Sequence, residues 1–574
     1  MANQDAITRK ADIRNMLVCV AILAATILIV WPVGEISYGD DAGYAHLALQ
    51  AARTGHFVYN GWESSIMILH AYWGALVIRL FGFSFNCLRF SMFPFAFGAI
   101  LFCYLLVRRA GLQAKEALFV TVLFELCPLF LPLAVSYMTD VQCMFFLYAS
   151  LYALTRAAEA SQEGRGYGWM ALGVILGFVG GLGRQVAWLA PLVALPYLAW
   201  LRRSRRLFAW ATLVAWLMIL GSVAWAVMWF NRQPYIVEQF SLIRELKIAI
   251  LKPKWEIETT ARMLLMILLL CLPAAVPLIW EALRRTWRGT PLRQIIVAVS
   301  LVGVTVAILI HPSLASFPWL FSTLDWEGIN GALPLPGRPI VLTKPIRIVV
   351  AIVVYASACI LAGELVPLRE LARRAARPFL DVTGSRFALV AMALVSVVYF
   401  LLLLVRGAHI DLFDRYLLPI FPLAATVLLL SANSGKLSAL TGRWVMRASL
   451  ALLVVLGSYA ILSTQDIWAL ARARVTATRK LEDAGVPRTA IDAGLEYNGW
   501  TELQITGRVN NRWVANPPDA YRPELSLTPS VVPKYRLKYT PTEVTTPREF
   551  GSVPYFSFLP PFHKQVSIDR VVAR

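Results

Sequence analysis

The chain has 574 residues, 58% of them hydrophobic and only 15% charged, with a formal net charge of +20. A soluble protein of this length needs far more charge to cover its surface, so the composition excludes that class and indicates a polytopic membrane protein. The basic excess sits in short loops between apolar runs, where it reports topology and affinity for anionic membrane lipid rather than nucleic-acid binding.

Apolar runs of about 20 residues, enough to cross a hydrocarbon core, recur near 15–33, 90–107, 116–134, 141–158, 168–183, 186–201, 207–230, 261–281, 294–311, 346–363, 386–405, 416–431 and 446–463. They predict about thirteen membrane helices. Arg9, Lys10 and Arg14 precede the first run. Arg108 and Arg109, the "RRSRR" cluster, Arg284, Arg285, Arg288, Arg369, Arg373, Arg374, Arg377, Lys436, Arg443 and Arg447 fall in loops on the same side. The positive-inside rule makes that side cytoplasmic. The apolar segment 66–80 contains His70 and Arg79 and is short for a span. Counting it as one would invert the charge asymmetry, so it is expected to lie along the interface or to re-enter. An odd number of spans then places the C-terminus outside, in a periplasm-like compartment of an inner (plasma) membrane protein. The first run lacks a small-residue cleavage signature and reads as a retained span.

All six histidines, His46, His56, His70, His311, His409 and His563, fall at or beyond the outer edge. The seven cysteines cluster in or near the spans, and the last hundred residues have none, so the C-terminal part is not a disulfide framework. From Gln465 onward the composition changes. "DIWALARARVTATRKLEDAG" reads as an amphipathic helix ended by Gly485 and Pro487. The pieces "TAIDAG", "WTELQITGR" and "VPYFSF" read as strands among many prolines. The expected organisation is an all-α transmembrane domain over 1–465, with juxtamembrane helices in the outer loop 34–89. A small extracytoplasmic α/β domain follows over 466–574. Outer loops are also expected over 231–260, over 312–345 with Asp325 and Glu327, and in "RGAHIDLFDRYLLP".

The residues that could carry chemistry gather at the outer ends of the spans. "SYGDDAGYAHLALQAARTGHF" follows the first span and places Asp40 and Asp41 side by side, with Tyr44 one turn on. A single acid suffices to cap the helix that begins there, which leaves the second for function. Asp140, in "SYMTDVQCMFF", opens the fourth span. An N-cap is the plain reading, and convergence with other acids on one cleft is the functional one. Arg184 and Gln185, in "GGLGRQVAW", interrupt a tight span-to-span turn. A cation at that depth faces a cavity or an anion, or snorkels to the headgroups, and the adjacent glycines admit close approach of a phosphate. In "HIDLFDRYLLPIFPL", His409, Asp411, Asp414 and Arg415 stand outside a span that Tyr416 begins. Arg–Tyr pairs are ordinary interfacial anchors; the acids beside them are not.

Together these pieces resemble the GT-C glycosyltransferases, and within them the branch of protein O-mannosyltransferases and the aminoarabinose transferase acting on lipid A. The resemblance covers the membrane region, about four-fifths of the chain, and rests on the order of loose motifs. It implies a polyprenyl-phosphate-linked sugar as donor, a cell-envelope acceptor and a site on the outer face. Asp40 matches the first acid of the family's Asp-Glu pair, the catalytic base, and Asp41 replaces the Glu. Asp140 matches an acid linked in some members to a divalent metal cation. Arg184 stands where relatives often have Lys near the donor phosphate, and Arg415 is a second candidate for that phosphate. Tyr44, Gln185, His409, Asp414 and Tyr416 are candidates for the cleft wall. Single displacement would invert the anomeric centre. An oligosaccharide ligase with a lipid-linked donor and a lipid or sugar transporter are the alternatives.

Overall fold

The computed structural model describes residues 2–571 except 238–241, 252, 312–317, 321, 330–333, 365–385, 408–411, 434–438 and 540–549. The basic residues Arg369, Arg373, Arg374, Arg377 and Lys436 therefore lie outside the described residues. The protein is a helical membrane bundle topped by a small mixed sheet. Eight described helices are long and apolar enough to cross a bilayer: Arg9–Val30, Phe85–Arg109, Gly164–Gly183, Arg206–Asn231, Ile257–Trp287, Lys344–Ala362, Phe387–Gly407 and Gly442–Asp483. Gln185–Leu201, Gln294–Ile310 and Phe421–Ala432 are shorter apolar helices at three further expected positions, and the segment expected at the interface forms the helix Ile68–Phe81.

Two expected spans take other forms. The run 116–134 divides into Ala114–Glu125 and Phe130–Ala134, because Pro128 has no N–H to continue the ladder. Glu125, at the break, is fully buried, with both carboxylate oxygens lacking a hydrogen-bond partner among the described residues. The run 141–158 is the helix Thr139–Glu159, buried along most of its length against the flanking helices Phe93–Arg109 and Glu163–Gly183. The stretch 231–260, expected as a loop, contains the helix Leu242–Leu251 and the first turns of Pro253–Trp287.

The exit from the first helix is shaped by one cation. Arg89, fully buried, donates to the carbonyls of Pro32 (3.0 Å), Gly34 (3.2 Å) and Ile36 (2.9 Å), and its guanidinium lies 3.9 Å over the Trp468 ring. A guanidinium can satisfy several acceptors at fixed angles, so the turn at 31–40 is held where the juxtamembrane helix Asp41–Thr54 starts. That helix packs on Ile68–Phe81 and on Leu495–Thr506 of the C-terminal region.

The last membrane helix does not stop at the surface. Ala439–Asp483 is one helix of 45 residues, so the final span and the amphipathic stretch after Gln465 are continuous. Beyond it, β3 (Ile491–Asp492), β4 (Tyr535–Lys538), β5 (Ser552–Phe556) and β6 (His563–Arg570) form a sheet in the order β3-β4-β6-β5. The pair β3/β4 is parallel and the other two are antiparallel. A separate hairpin, β1 (Leu324–Asp325) with β2 (Gly328–Ile329), lies in the outer loop. "TAIDAG" and "VPYFSF" contain strands as expected, but most of "WTELQITGR" belongs to the helix Leu495–Thr506, closed by Gly507 in the left-handed region (φ 76°). Its Ile and Thr residues favour a strand locally; burial of Tyr497, Thr501 and Leu503 on more than one side of the helix overrides them. The seam beneath the sheet is ionic. Asp466 receives Arg338 at 2.7 Å and Lys564 at 2.6 Å, with all three side chains at most 3% exposed. Arg474 pairs with Glu496 at 2.9 Å beside it.

Candidate active site

Asp40 and Asp41 are adjacent in sequence and opposite in environment. Asp40 occupies the N-cap position, yet its side chain makes no capping bond. Its carboxylate turns outward: Oδ1 accepts from the Trp62 indole N–H at 3.0 Å, and Oδ2 from the Arg415 guanidinium at 2.8 Å. The side chain keeps 29% exposure. Asp41 turns inward and is 1% exposed. Its Oδ2 accepts from the backbone N–H groups of Tyr137 (3.1 Å) and Tyr38 (3.4 Å). Burial pushes its carboxyl up to about 7 against the opposing pull of Arg89. Of the expected acid pair, only Asp40 lines the cavity; Asp41 fastens the start of the helix to the loop before Thr139.

Asp414 corrects a second expectation. It is fully buried and accepts from the backbone N–H groups of Thr323 (3.0 Å), Leu324 (2.6 Å) and Arg415 (2.6 Å). It fixes the outer loop and does not line the cavity; burial raises its carboxyl to about 7. Its neighbours Arg415 and Tyr416 do line it. Arg184 forms an ion pair with Asp140 at 3.0 Å, donates to the Thr139 hydroxyl at 3.0 Å, and lies 5.3 Å over the Tyr416 ring. Asp140 is thus neither a helix cap nor a bare acid; it anchors Arg184. The glycines before Arg184 serve packing. A Cβ at Gly180 would fall 2.3 Å from Phe146, and one at Gly181 would fall 1.9 Å from Trp188. His409 and Asp411 lie outside the described residues.

These groups surround a cavity of about 310 Å³. The cavity is lined by Asp40, Tyr44, Trp62, Arg415 and Tyr416, by Arg184 and Arg406, and by Leu495, Asn511 and Trp513 of the C-terminal region. A second cavity of about 310 Å³ continues past Arg184, Arg406 and Tyr416 into an apolar recess between membrane helices, lined by Val186, Val227, Tyr399, Leu402 and Leu403, with Gln185 at its edge. The recess and the polar chamber share Ser64, Ser65, Arg184, Arg406 and Tyr416. Two guanidiniums, Arg184 and Arg406, therefore stand where apolar and polar space join, and a third, Arg415, bonds the cavity-facing Asp40 within the polar chamber. Among the described residues no three His, Cys, Asp or Glu side chains converge as metal ligands. Asp40 and Asp140 each face a guanidinium, an arrangement of the described residues that does not fit a divalent cation.

Residues 66–229 match the family model described as dolichyl-phosphate-mannose-protein mannosyltransferase. Over 132 residues the chain is 35% identical to the undecaprenyl phosphate-alpha-4-amino-4-deoxy-L-arabinose arabinosyl transferase of Pseudomonas aeruginosa (strain LESB58), covering 22% of this chain and 24% of that one. The corresponding transferase 2 of Pseudomonas fluorescens (strain Pf0-1) is 27% identical over 205 residues, 34% of this chain and 37% of that one. The expected resemblance to the GT-C glycosyltransferases is borne out. The aligned stretch spans about a quarter of the length of the first of these relatives. Among solved structures, ArnT from Cupriavidus metallidurans in the apo state is similar over 84% of each chain, at 15% identity and a TM-score of 0.36. The family-model segment contains Asp140, Arg184 and Gln185; Asp40, Arg415 and Tyr416 lie outside it.

Sequence reasoning missed Trp62, Arg406 and Trp513. Arg406 carried the same signal as Arg184, a guanidinium at the end of an apolar run. It lies 5.6 Å over the Tyr416 ring and has no ion-pair partner among the described residues. Trp62 and Trp513 had no such signal, being two of nineteen tryptophans.

Proposed function

We propose that the protein is an integral-membrane glycosyltransferase that moves one sugar from a polyprenyl-phosphate donor to an acceptor hydroxyl on the side of the C-terminal domain. The observation that carries this reading is the junction of the two cavities. An apolar recess between helices opens at Arg184 and Arg406 into a polar chamber faced by Asp40. A lipid-linked sugar has the matching sequence of parts: chain, phosphate, sugar. The curated relatives are named for an undecaprenyl-phosphate donor, which supports the class of carrier. Inner-membrane placement and an outward-facing site follow from that reading and from the basic loops.

In the proposed step Asp40 takes the proton of the acceptor hydroxyl as its oxygen bonds to the anomeric carbon. The bond from that carbon to the phosphate oxygen breaks, and the electron pair leaves with the polyprenyl phosphate. Arg184 and Arg406 stabilise the charge that grows on the phosphate, preorganised as guanidiniums held over the Tyr416 ring. Attack opposite the leaving phosphate inverts the centre. Arg415 holds the base without neutralising its remaining lone pairs. The chamber volume lies at the lower end of the ~300–1,000 Å³ range of ligand pockets, which favours a single sugar over a whole oligosaccharide.

The test uses purified protein in lipid. It is given undecaprenyl phosphate-4-amino-4-deoxy-L-arabinose or undecaprenyl-phosphate hexoses, together with a cell-envelope extract. Release of undecaprenyl phosphate that disappears in Asp40→Asn is the expected result. No release from any donor by the wild type overturns the reading.

A further inference from the structure

We infer that Trp62 is a positioning residue through which the C-terminal domain sets the orientation of the Asp40 carboxylate. The inference rests on the reading of Asp40 as the base.

The indole sits in a slot cut by two glycines on separate elements. A Cβ at Gly43, in the helix that Asp41 opens, would fall 2.7 Å from the Trp62 Cβ and Cγ. A Cβ at Gly499, in the helix Leu495–Thr506 of the C-terminal region, would fall 2.4 Å from Cζ3 and 2.5 Å from Cη2. Contacts that short cannot be met without moving the ring. Both helices thus come against the indole only because neither carries a side chain there. From that slot the indole N–H reaches Asp40 Oδ1 at 3.0 Å.

The backbone around Trp62 is fastened to the same domain. The Val509 N–H donates to the Asn60 carbonyl at 2.9 Å, and the Asn511 side chain donates to the Gly61 carbonyl at 2.8 Å. Gly61 has φ 82°, and a Cβ there would meet the Val509 carbonyl oxygen at 2.9 Å. On the other side, Gly61 N–H donates to the Tyr235 carbonyl at 2.8 Å and Val237 N–H to the Glu63 carbonyl at 3.0 Å. Segment 60–63 is consequently stitched between an outer loop and the C-terminal domain, with its one large side chain aimed back at the base.

The chemistry suits a neutral donor. Arg415 already supplies the positive charge on Oδ2. A second cation on Oδ1 would stabilise the ionised carboxylate further and weaken it as a base. An indole N–H fixes the plane of the group through one directional bond and adds no charge. General-base catalysis depends on that plane, because the lone pair that takes the proton must face the acceptor hydroxyl.

The experiment has a spectroscopic arm and a kinetic arm. The indole resonance of Trp62, assigned in ¹⁵N-tryptophan-labelled protein by its loss in Trp62→Phe, is expected to move in both Asp40→Asn and Gly499→Ala. In donor turnover, Trp62→Phe is expected to lower kcat about tenfold, the effect of one directional hydrogen bond, with the donor KM unchanged. Gly499→Ala is expected to lower kcat similarly, and to cause no further loss in a Trp62→Ala background, where the slot is empty. A Trp62 resonance unmoved by Gly499→Ala overturns the proposal. So does wild-type kcat in Trp62→Phe while Asp40→Asn is inactive, which leaves the assignment of the base standing. Full activity in Asp40→Asn removes the base and the positioning role together.

Discussion

The chamber and the seam beneath the sheet are built from the same pair of ions and behave in opposite ways. At the chamber, Asp40 meets Arg415 at 2.8 Å with 29% of the acid exposed. At the seam, Asp466 meets Arg338 and Lys564 with no exposure of the acid at all. A partly exposed pair can exchange partners with a ligand at lower cost, whereas a fully buried triad cannot lose a member without leaving an uncompensated charge. Ionic contact alone therefore says nothing about role; exposure and the neighbouring space decide it.

The largest expected effects break this contrast directly. Asp40→Asn should cut turnover by about 10²–10⁴-fold with the unfolding midpoint unchanged, read by donor consumption and a thermal melt in detergent. Asp466→Asn should do the reverse. It leaves two buried cations facing each other and should cost about 3–5 kcal/mol of stability, seen as a lower melting midpoint, while protein that remains folded keeps its donor KM. A chamber mutant that unfolds, or a seam mutant that is stable and inactive, would dissolve the distinction. Arg406→Ala sharpens it. No acid among the described residues pairs with Arg406, so its removal should lower kcat/KM about 10²-fold without destabilising the fold.

Two buried acids, Asp41 and Asp414, give a pH test of intermediate size. Both hold their protons up to about 7 because burial disfavours the charged form. The folded chain then binds protons that the unfolded chain has released above the ordinary carboxylate range near ~4. Their contribution to stability is full below that range and is lost as pH rises through about 7. The melting midpoint should accordingly fall between about pH 5 and about pH 8, and the Asp41→Asn/Asp414→Asn pair should flatten the slope. Smallest of all, Glu125→Leu replaces a buried acid that has no hydrogen-bond partner among the described residues with an apolar side chain and should raise stability by about 1 kcal/mol.

What the sequence made legible follows from how local each signal is. Apolar runs name their own helices, so most spans were readable, and the break in 116–134 was written in Pro128. Asp40, Arg184 and Arg415 were readable because a charge at the end of an apolar run has few ordinary reasons to be there. Asp41 and Asp414 were not separable from their neighbours, since a one-residue step along the chain rotates a side chain from the chamber to the interior and no composition records that turn. Trp62 was invisible for a different reason. Its partners, Gly43, Gly499 and Asp40, are brought together only by the fold. The helix Leu495–Thr506 was hidden by strand-forming residues that tertiary burial overrode.

The last membrane helix also fixes a height. Its 45 residues amount to roughly 68 Å at 1.5 Å per residue, against ~40–45 Å for a bilayer with its headgroups. The unbroken rod packs against β5 and β6 at its outer part and against the membrane helices below, so one helix carries both layers. On the proposed reading, the sheet and the bundle then share one rigid support, so an acceptor comes to the site rather than the site to it.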